Sequence, residues 1–236
     1  MERRKRRSAE DIEKSIIEAA TKLIKQNGFG NLTVTGIMQE AEIEPVQFYK
    51  RYKDLDTFID SYVKNFDYWF SDIIKACTSN GTIKQQYEGI LCNLLKDLWN
   101  NEIMKELLRW EISSKNEISR RTSQLREFHT LPLCKTLKEG YSNSNIDMIP
   151  ITALIVGGIY YLILHNELAE FSGIDLNRES DRNRILKGIK QLSDVLFQET
   201  SKEPTISIAS KMKKDGLPLE KIAEYTNLSL QIIEEL

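Results

Sequence analysis

Residues 33–58 read Thr33-Val-Thr-Gly-Ile-Met-Gln-Glu-Ala-Glu-Ile-Glu-Pro-Val-Gln-Phe-Tyr-Lys-Arg-Tyr-Lys-Asp-Leu-Asp-Thr-Phe58, and this stretch decides the fold. Thr33 can cap a helix that runs through about Ala41. Glu42-Ile43-Glu44 is a turn. Pro45 suits the first turn of a following helix, because its missing N–H would be unpaired there anyway. That second helix runs to about Tyr52. Ile37, Ala41, Ile43 and Phe48 stand at the spacing that locks two short helices together across a tight turn. Gln47, Tyr49, Lys50, Arg51 and Lys53 are left to project outward.

Working back from that pair, Ser8-Ala-Glu-Asp11 is a capping-box-like start with Asp in place of the usual Glu or Gln. Ile12, Ile16, Ala19, Ala20, Leu23 and Ile24 recur at helical spacing, and Gly28 is a natural terminator. The three segments over 8–52 have the layout of a helix-turn-helix DNA-binding head. In that layout the middle helix crosses the phosphate backbone and the third enters the major groove. A basic arm, Arg3-Arg4-Lys5-Arg6-Arg7, precedes the first helix and suits the adjacent minor groove or phosphates. Residues 1–55 hold eleven Lys and Arg against nine Asp and Glu, whereas the remainder holds 22 against 26. A basic head on an acidic body fits a protein that sets one end on DNA.

The rest of the chain reads as helix. Asp54 or Asp56 caps a segment through about Thr78, and further helices follow over 82–99, 102–114, 116–139 with Pro132 inside, 150–170 and 180–199. Gly and Pro together number only 16 of 236 residues, which favours long helices over a many-stranded sandwich or barrel. No alternating strand pattern with turn signals occurs. The expectation is an all-α chain of about nine helices plus a helical tail. The segment Met148–Asn166 carries no formal charge and could just span a bilayer by length. Pro150 and Gly157-Gly158 interrupt it, so it reads as a buried helix, with no membrane partner. The basic N-terminus lacks the apolar run of a signal peptide. Cytoplasmic placement is expected.

Cys77, Cys92 and Cys134 are widely spaced, and His129 and His165 lie in separate segments, so no metal site and no disulfide framework is expected. GxGxxG, P-loop, GxSxG and HExxH motifs are absent, which argues against an enzyme and against a bound cofactor.

The stretch from about Ser8 to Val63, densest at LTVTGIMQEAEIEPVQFYKRYKDLDTFID, resembles the TetR family of bacterial transcriptional regulators. The carrying pattern is an aliphatic residue, Ala41, a short turn, Phe48-Tyr49, Tyr52, Lys53 and Phe58. LLRWEISSKNEISRRTSQLRE (107–127) also looks like the middle helices of some members. The resemblance implies a homodimeric, ligand-responsive regulator, more often a repressor, on a palindromic duplex DNA operator. It divides the chain into a DNA-binding domain at 1–53, a ligand-binding and dimerisation domain at 54–200, and an extra tail at 201–236. It implies that Thr33 holds a phosphate, that Thr35 reaches a base or phosphate, and that Pro45, Val46 and Gln47 face base edges. Tyr49 and Lys53 would hold phosphates, and Lys50 and Arg51 either. Three positions depart from the pattern. Glu42 stands where Gly is usual, Glu44 where a Ser cap is usual, and Leu55 where a second Lys is common.

In the body, the resemblance places a small-molecule pocket among the central helices, with Trp69, Tyr87, Trp99, Trp110, His129 and Tyr160 as candidate lining. It places a four-helix dimer interface on the last two long helices, with Ile155, Gly157, Gly158, Tyr161, Ile189, Leu192 and Leu196 as candidates. An uncharged helix that needs burial, with a Gly pair for close approach, agrees. The tail's IAEYTNLSLQIIEEL looks like a minimal helix-turn-helix, similar to extensions of some transposase-like nucleases. Residues 202–236 hold five Lys against six acids, so protein docking is the expectation for the tail rather than phosphate binding. The rival reading of the whole chain is a helical protein-interaction module with a degenerate head.

Overall fold

The computed structural model describes residues 7–140, 146–198 and 202–236. Arg3, Arg4, Lys5 and Arg6 of the expected DNA-binding arm lie outside the described residues. The head holds α1 (Ala9–Asn27), α2 (Val34–Glu40) and α3 (Pro45–Tyr49). The body follows with α4 (Leu55–Val63), α5 (Trp69–Thr78), α6 (Ile83–Asn100), α7 (Glu102–Ser114), α8 (Glu117–Gly140), α9 (Met148–His165) and α10 (Glu179–Gln198). The tail holds α11 (Lys202–Lys214), α12 (Leu219–Thr226) and α13 (Leu230–Glu234). Among the described residues the only β feature is an isolated bridge between Phe171 and Ile174.

Local chemistry sets most boundaries. Ser8 Oγ accepts the Asp11 N–H at 3.0 Å and Asp11 Oδ2 accepts the Ser8 N–H at 2.9 Å, closing the capping box of α1. Gly28 ends α1 with φ of 76°. Thr33, Asp54, Thr82 and Asn101 cap α2, α4, α6 and α7 through their side chains. One expectation fails: residues 54–78 do not form a single helix. A 3-10 turn at Lys64–Phe66 separates α4 from α5 without Gly or Pro. The break seats Phe66 against the ring of Tyr62 and leaves Asp67 partly buried.

One apolar core runs from Ile12 and Ile16 of α1 through Phe48 and Leu94 to Leu196. Rings bridge head and body within it. Phe48 meets Phe58 at 6.0 Å, Phe58 meets Tyr62 at 5.8 Å, and Phe29 meets both Tyr62 and Trp110. The helix α8 packs against α4, α5, α7 and α9. Its buried face is polar in the first half, where Ser119, Thr122 and Arg126 are buried, and apolar further on at Leu137.

The tail has its own core of Ala209, Ile222, Leu228 and Ile233. Its α12–turn–α13 repeats the α2–turn–α3 of the head at one constant offset. Ile37, Ala41, Ile43 and Phe48 in the head correspond to Ile222, Thr226, Leu228 and Ile233 in the tail. All eight are buried except Ile43, which is half-buried. The turns agree as well: Glu42 has φ of 50° and the matching Asn227 has φ of 51°. The surfaces do not agree, because Tyr49, Lys50 and Arg51 are matched by Glu234, Glu235 and Leu236.

Candidate nucleic-acid interface

The turn of the head is held by backbone hydrogen bonds from Ala41 N–H to Ile37 O at 2.9 Å and from Ile43 N–H to Met38 O at 3.1 Å. Glu42 takes the left-handed conformation that the commoner Gly would adopt without strain. Ile37 and Phe48 are fully buried beneath it. With Phe48 fixed inward, α3 turns Pro45, Val46, Tyr49 and Lys50 to the outside. Val46 is 75% exposed, and Tyr49, whose ring meets Phe48 edge-on at 5.6 Å, is 54% exposed. Thr33, Thr35 and Lys53 are also exposed. Thr33 Oγ1 accepts the Gly36 N–H at 3.0 Å, and its hydroxyl hydrogen remains to donate.

Three of the expected contact residues carry intramolecular duties. Gln47 Oε1 accepts the Glu44 N–H at 2.8 Å, so the side chain caps its own helix. Arg51 does not project freely: it donates to Gln47 O at 3.0 Å and to Ala9 O at 2.6 Å, tying α3 to the start of α1. Arg7 donates to Ala41 O at 2.9 Å and lies 3.8 Å from Glu42, which lays the end of the arm against the turn. A cleft of about 910 Å³ opens here, bordered by Arg7, Lys50 and Arg51 and by Glu13, Glu42 and Glu44. Lys22 and Glu40, which the sequence reading passed over, pair at 2.5 Å and tie α1 to α2. Nothing in their spacing announces that contact.

The six candidates for a ligand pocket do not gather round one cavity. Trp69 borders an open groove of about 540 Å³ between α5 and α6 and donates to Asp97. Tyr87 is core, with its hydroxyl 3.1 Å from Thr152 Oγ1. Trp99 lies under the Arg182 guanidinium at 4.9 Å. Trp110 packs on Phe29. His129 lies against the Tyr68 ring at 5.0 Å. Tyr160 is deep in the body, where burial pushes its hydroxyl up to about 12.

The partner of Glu111 at the polar centre of the body is not legible in the sequence. Arg126 of α8 donates two hydrogen bonds to Glu111 of α7, at 2.8 and 2.7 Å, with side chains 8% and 4% exposed. Burial works against the charge on Arg126, yet the hydrogen bonds and charge of Glu111 hold its pKa above the ordinary value. Beside it, burial pushes the Asp67 carboxyl up, against the pull of Arg121 and Lys64. Arg121 pairs with Asp60 of α4. The only signal in the sequence was an uncommon run of polar residues on one face of α8.

The dimer candidates separate into two groups. Ile189 and Leu196 face inward and are buried in the chain's own core, so they are corrected to core residues. Gly157, Gly158, Tyr161 and Leu192 lie on the outside, as do Leu154, Leu168 and Val195, and Ile155 is half-buried. By length and composition α9 could cross a membrane, and only 17% of it is buried within this chain. A Cβ added at Gly157 or Gly158 would meet nothing within 4 Å.

No protein-family model matches the chain, and no curated protein matches it in sequence. Among solved structures it is similar to a TetR family transcription regulator from Marinobacter aquaeolei VT8. The identity is 15% and the TM-score 0.53, over 75% of this chain and 95% of that one. It is also similar to the fatty acid degradation regulator FadR from Bacillus halodurans, at 16% identity and a TM-score of 0.57, over 77% and 97%. Nothing in these likenesses supports the tail's resemblance to an extension of transposase-like nucleases. At such identities the likeness is one of fold: the chain has the all-helical architecture of TetR-family regulators, an N-terminal helix-turn-helix head joined to a helical body.

Proposed function

We propose that the chain is a sequence-specific DNA-binding regulator, a repressor that acts as a homodimer on an inverted-repeat operator and releases it on binding a small molecule. The observation that carries this reading is α3. Its inner side chain, Phe48, is fully buried, while Val46, Tyr49 and Lys50 stand open to solvent beside the exposed Thr33 and Lys53. An element held this rigidly, with an exposed apolar, aromatic and basic surface, is suited to a major groove and its phosphates. One head makes few base contacts, and two-fold pairing doubles them. The open apolar strip of α9 and α10 supports that pairing.

Selection of duplexes from a randomised pool at near-physiological salt tests the reading. An enriched inverted repeat is the expected result. Absence of enrichment by folded, dimeric protein favours the second reading, a protein-interaction module with a degenerate head. The acids Glu13, Glu42 and Glu44 around the head cleft are what favour it. Lys50→Ala and Lys53→Ala separate the two, since only a DNA reader loses affinity for duplex.

A further inference from the structure

The side of α3 that faces solvent is chemically uneven. Pro45, Val46, Tyr49 and Lys50 form it, and Phe48 behind them is fully buried. A helix-turn-helix brings the first residues of its second helix to the base edges. In α3 the exposed side chains of that first turn are Pro45 and Val46, and both are apolar. Pro45 has no backbone N–H to offer either. Gln47 is the polar side chain of the turn, but it is half-buried, and its Oε1 already accepts the Glu44 N–H at 2.8 Å. The polar groups of the face belong to Tyr49 and Lys50, one turn further along.

Polar side chains read the major groove through its donors and acceptors. An apolar side chain reads what is apolar there, which is the C5-methyl group of thymine. Val46 suits that partner on three counts. It is 75% exposed, so most of its surface is open to be covered. It is β-branched, so its two methyls have little rotamer freedom to lose. The backbone that carries it is anchored on both sides. Val46 O accepts the Lys50 N–H at 3.1 Å, and the Arg51 guanidinium ties Gln47 O to Ala9 O.

Resting on the regulatory reading above, we propose that Val46 is a specificity-determining residue that packs on the C5-methyl of one thymine in each half-site of the operator. What the first turn of α3 recognises is then a methyl group and not a hydrogen-bond pattern. Gln47 supports the contact from behind by closing the turn that presents Val46. Uracil in place of thymine keeps each donor and acceptor of the base pair and removes only the methyl, so it isolates this contact.

The test uses the full chain and the inverted repeat it selects from a randomised pool. Thymines of the repeat are replaced by deoxyuridine one position at a time, and fluorescence anisotropy gives the affinity. One position is expected to respond, by about fourfold with uracil in one half-site and about fifteenfold with uracil in both, the size of one buried methyl group repeated across the two-fold axis. In Val46→Ala the same replacement is expected to cost under about 1.5-fold, because the side chain that felt the methyl is gone. That variant keeps the native melting temperature, since Val46 is open to solvent. Lys53→Ala weakens binding to the thymine and uracil duplexes alike, and so keeps the uracil penalty. A selected repeat in which no thymine responds to uracil overturns the proposal and leaves the regulatory reading standing. A uracil penalty that survives Val46→Ala at full size belongs to another side chain and overturns it as well. Absence of any enriched repeat removes the regulatory reading, and the assignment of Val46 with it.

Discussion

Gln47 Oε1 accepts the backbone N–H of Glu44 at 2.8 Å, closing the first turn of α3 with a side chain expected to read a base. A Gln that pairs bidentately with adenine needs its oxygen for the N6 amine and its nitrogen for N7. The intrahelical bond fixes the oxygen beside the Glu44 N–H and leaves the amide nitrogen the freer of the two groups. Gln47→Ala is therefore expected to lower unfolding free energy by about 1 kcal/mol, the usual size of a lost cap, as well as to weaken duplex binding. Gln47→Glu keeps the acceptor and the stability but sets a negative charge against the phosphates, and loses more affinity than the Ala variant. Urea denaturation and fluorescence anisotropy measure the two effects. Unchanged stability in Gln47→Ala would refute the capping role.

Glu42 holds φ of 50° at the centre of the turn, a conformation that disfavours a residue with a Cβ. Its near neighbour Arg7 lies at 3.8 Å with both side chains well exposed, so that ion pair contributes little. Glu42→Gly relieves the strain and removes an acid from the cleft beside α3. The expected gain is about 0.5–1 kcal/mol after the extra chain entropy of Gly is subtracted. Duplex affinity rises in the same variant. A lower midpoint in urea would show that Glu42 contributes more through its contacts than it loses through its backbone.

The helix-turn-helix was legible because apolar spacing leaves one solution for a turn this short. Ile37, Ala41 and Phe48 are buried where that spacing requires, and Ile43 half-buried. The duties of Arg7 and Arg51 were not legible, since both end on backbone oxygens, Ala41 O and Ala9 O, whose positions only the folded chain supplies. The break after Val63 was hidden for a similar reason: Lys64-Asn-Phe-Asp-Tyr68 contains no breaker, and the packing of Phe66 imposes it. Spacing cannot tell a core ring from a ring that lines a ligand, so Tyr87 and Trp110 stood among the pocket candidates although both are plain core. Periodicity likewise gives α10 an apolar stripe without saying that Ile189 meets its own chain and Val195 meets solvent. The pairing of Glu111 with Arg126 is not legible, because Arg126 looks like an ordinary surface residue until α7 and α8 are set side by side.

That buried pair gives a stability test. Breaking it strands a charge in the core, whereas removing both members leaves only a packing change. Glu111→Gln is expected to cost about 3–5 kcal/mol of unfolding free energy. The double variant Glu111→Met with Arg126→Met is expected to cost less than the single one, despite carrying two substitutions. Urea denaturation gives both values. A double variant worse than the single would mean that the pair stabilises the body beyond its own desolvation.

The tail tests whether helix-turn-helix geometry suffices for binding DNA. Its turn and core match those of the head, but Glu234 and Glu235 stand where the head has Tyr49 and Lys50. Phosphate binding depends on cations that displace condensed counterions, and the slope of affinity against salt counts them. Removing residues 201–236, whose core is separate from that of the body, is expected to leave that slope unchanged. Lys50→Ala is expected to lower it by about 1. A shallower slope in the truncated chain would make the tail a second DNA reader.

The outer strip of α9 bears on assembly. Leu154 is 77% exposed; Gly157 and Gly158 lie three and four residues after it, and Tyr161 lies four and three residues after them. Such spacing puts them on one face of the helix, and the Gly pair lets a second backbone come close. Leu192 and Val195 of α10 extend the apolar surface. Contiguous apolar area of this kind in water is covered by a partner or drives aggregation. A two-fold contact repeats each substitution on both sides, so Leu154→Glu places two carboxylates across one interface. Sedimentation is expected to show the native chain at twice its 27.4 kDa and the variant at the single value. The variant keeps its melting behaviour, because Leu154 touches little within its own chain, yet loses affinity for an inverted repeat more than for a half-site. A native chain that sediments as a monomer at micromolar concentration would remove the dimer from the proposed mechanism.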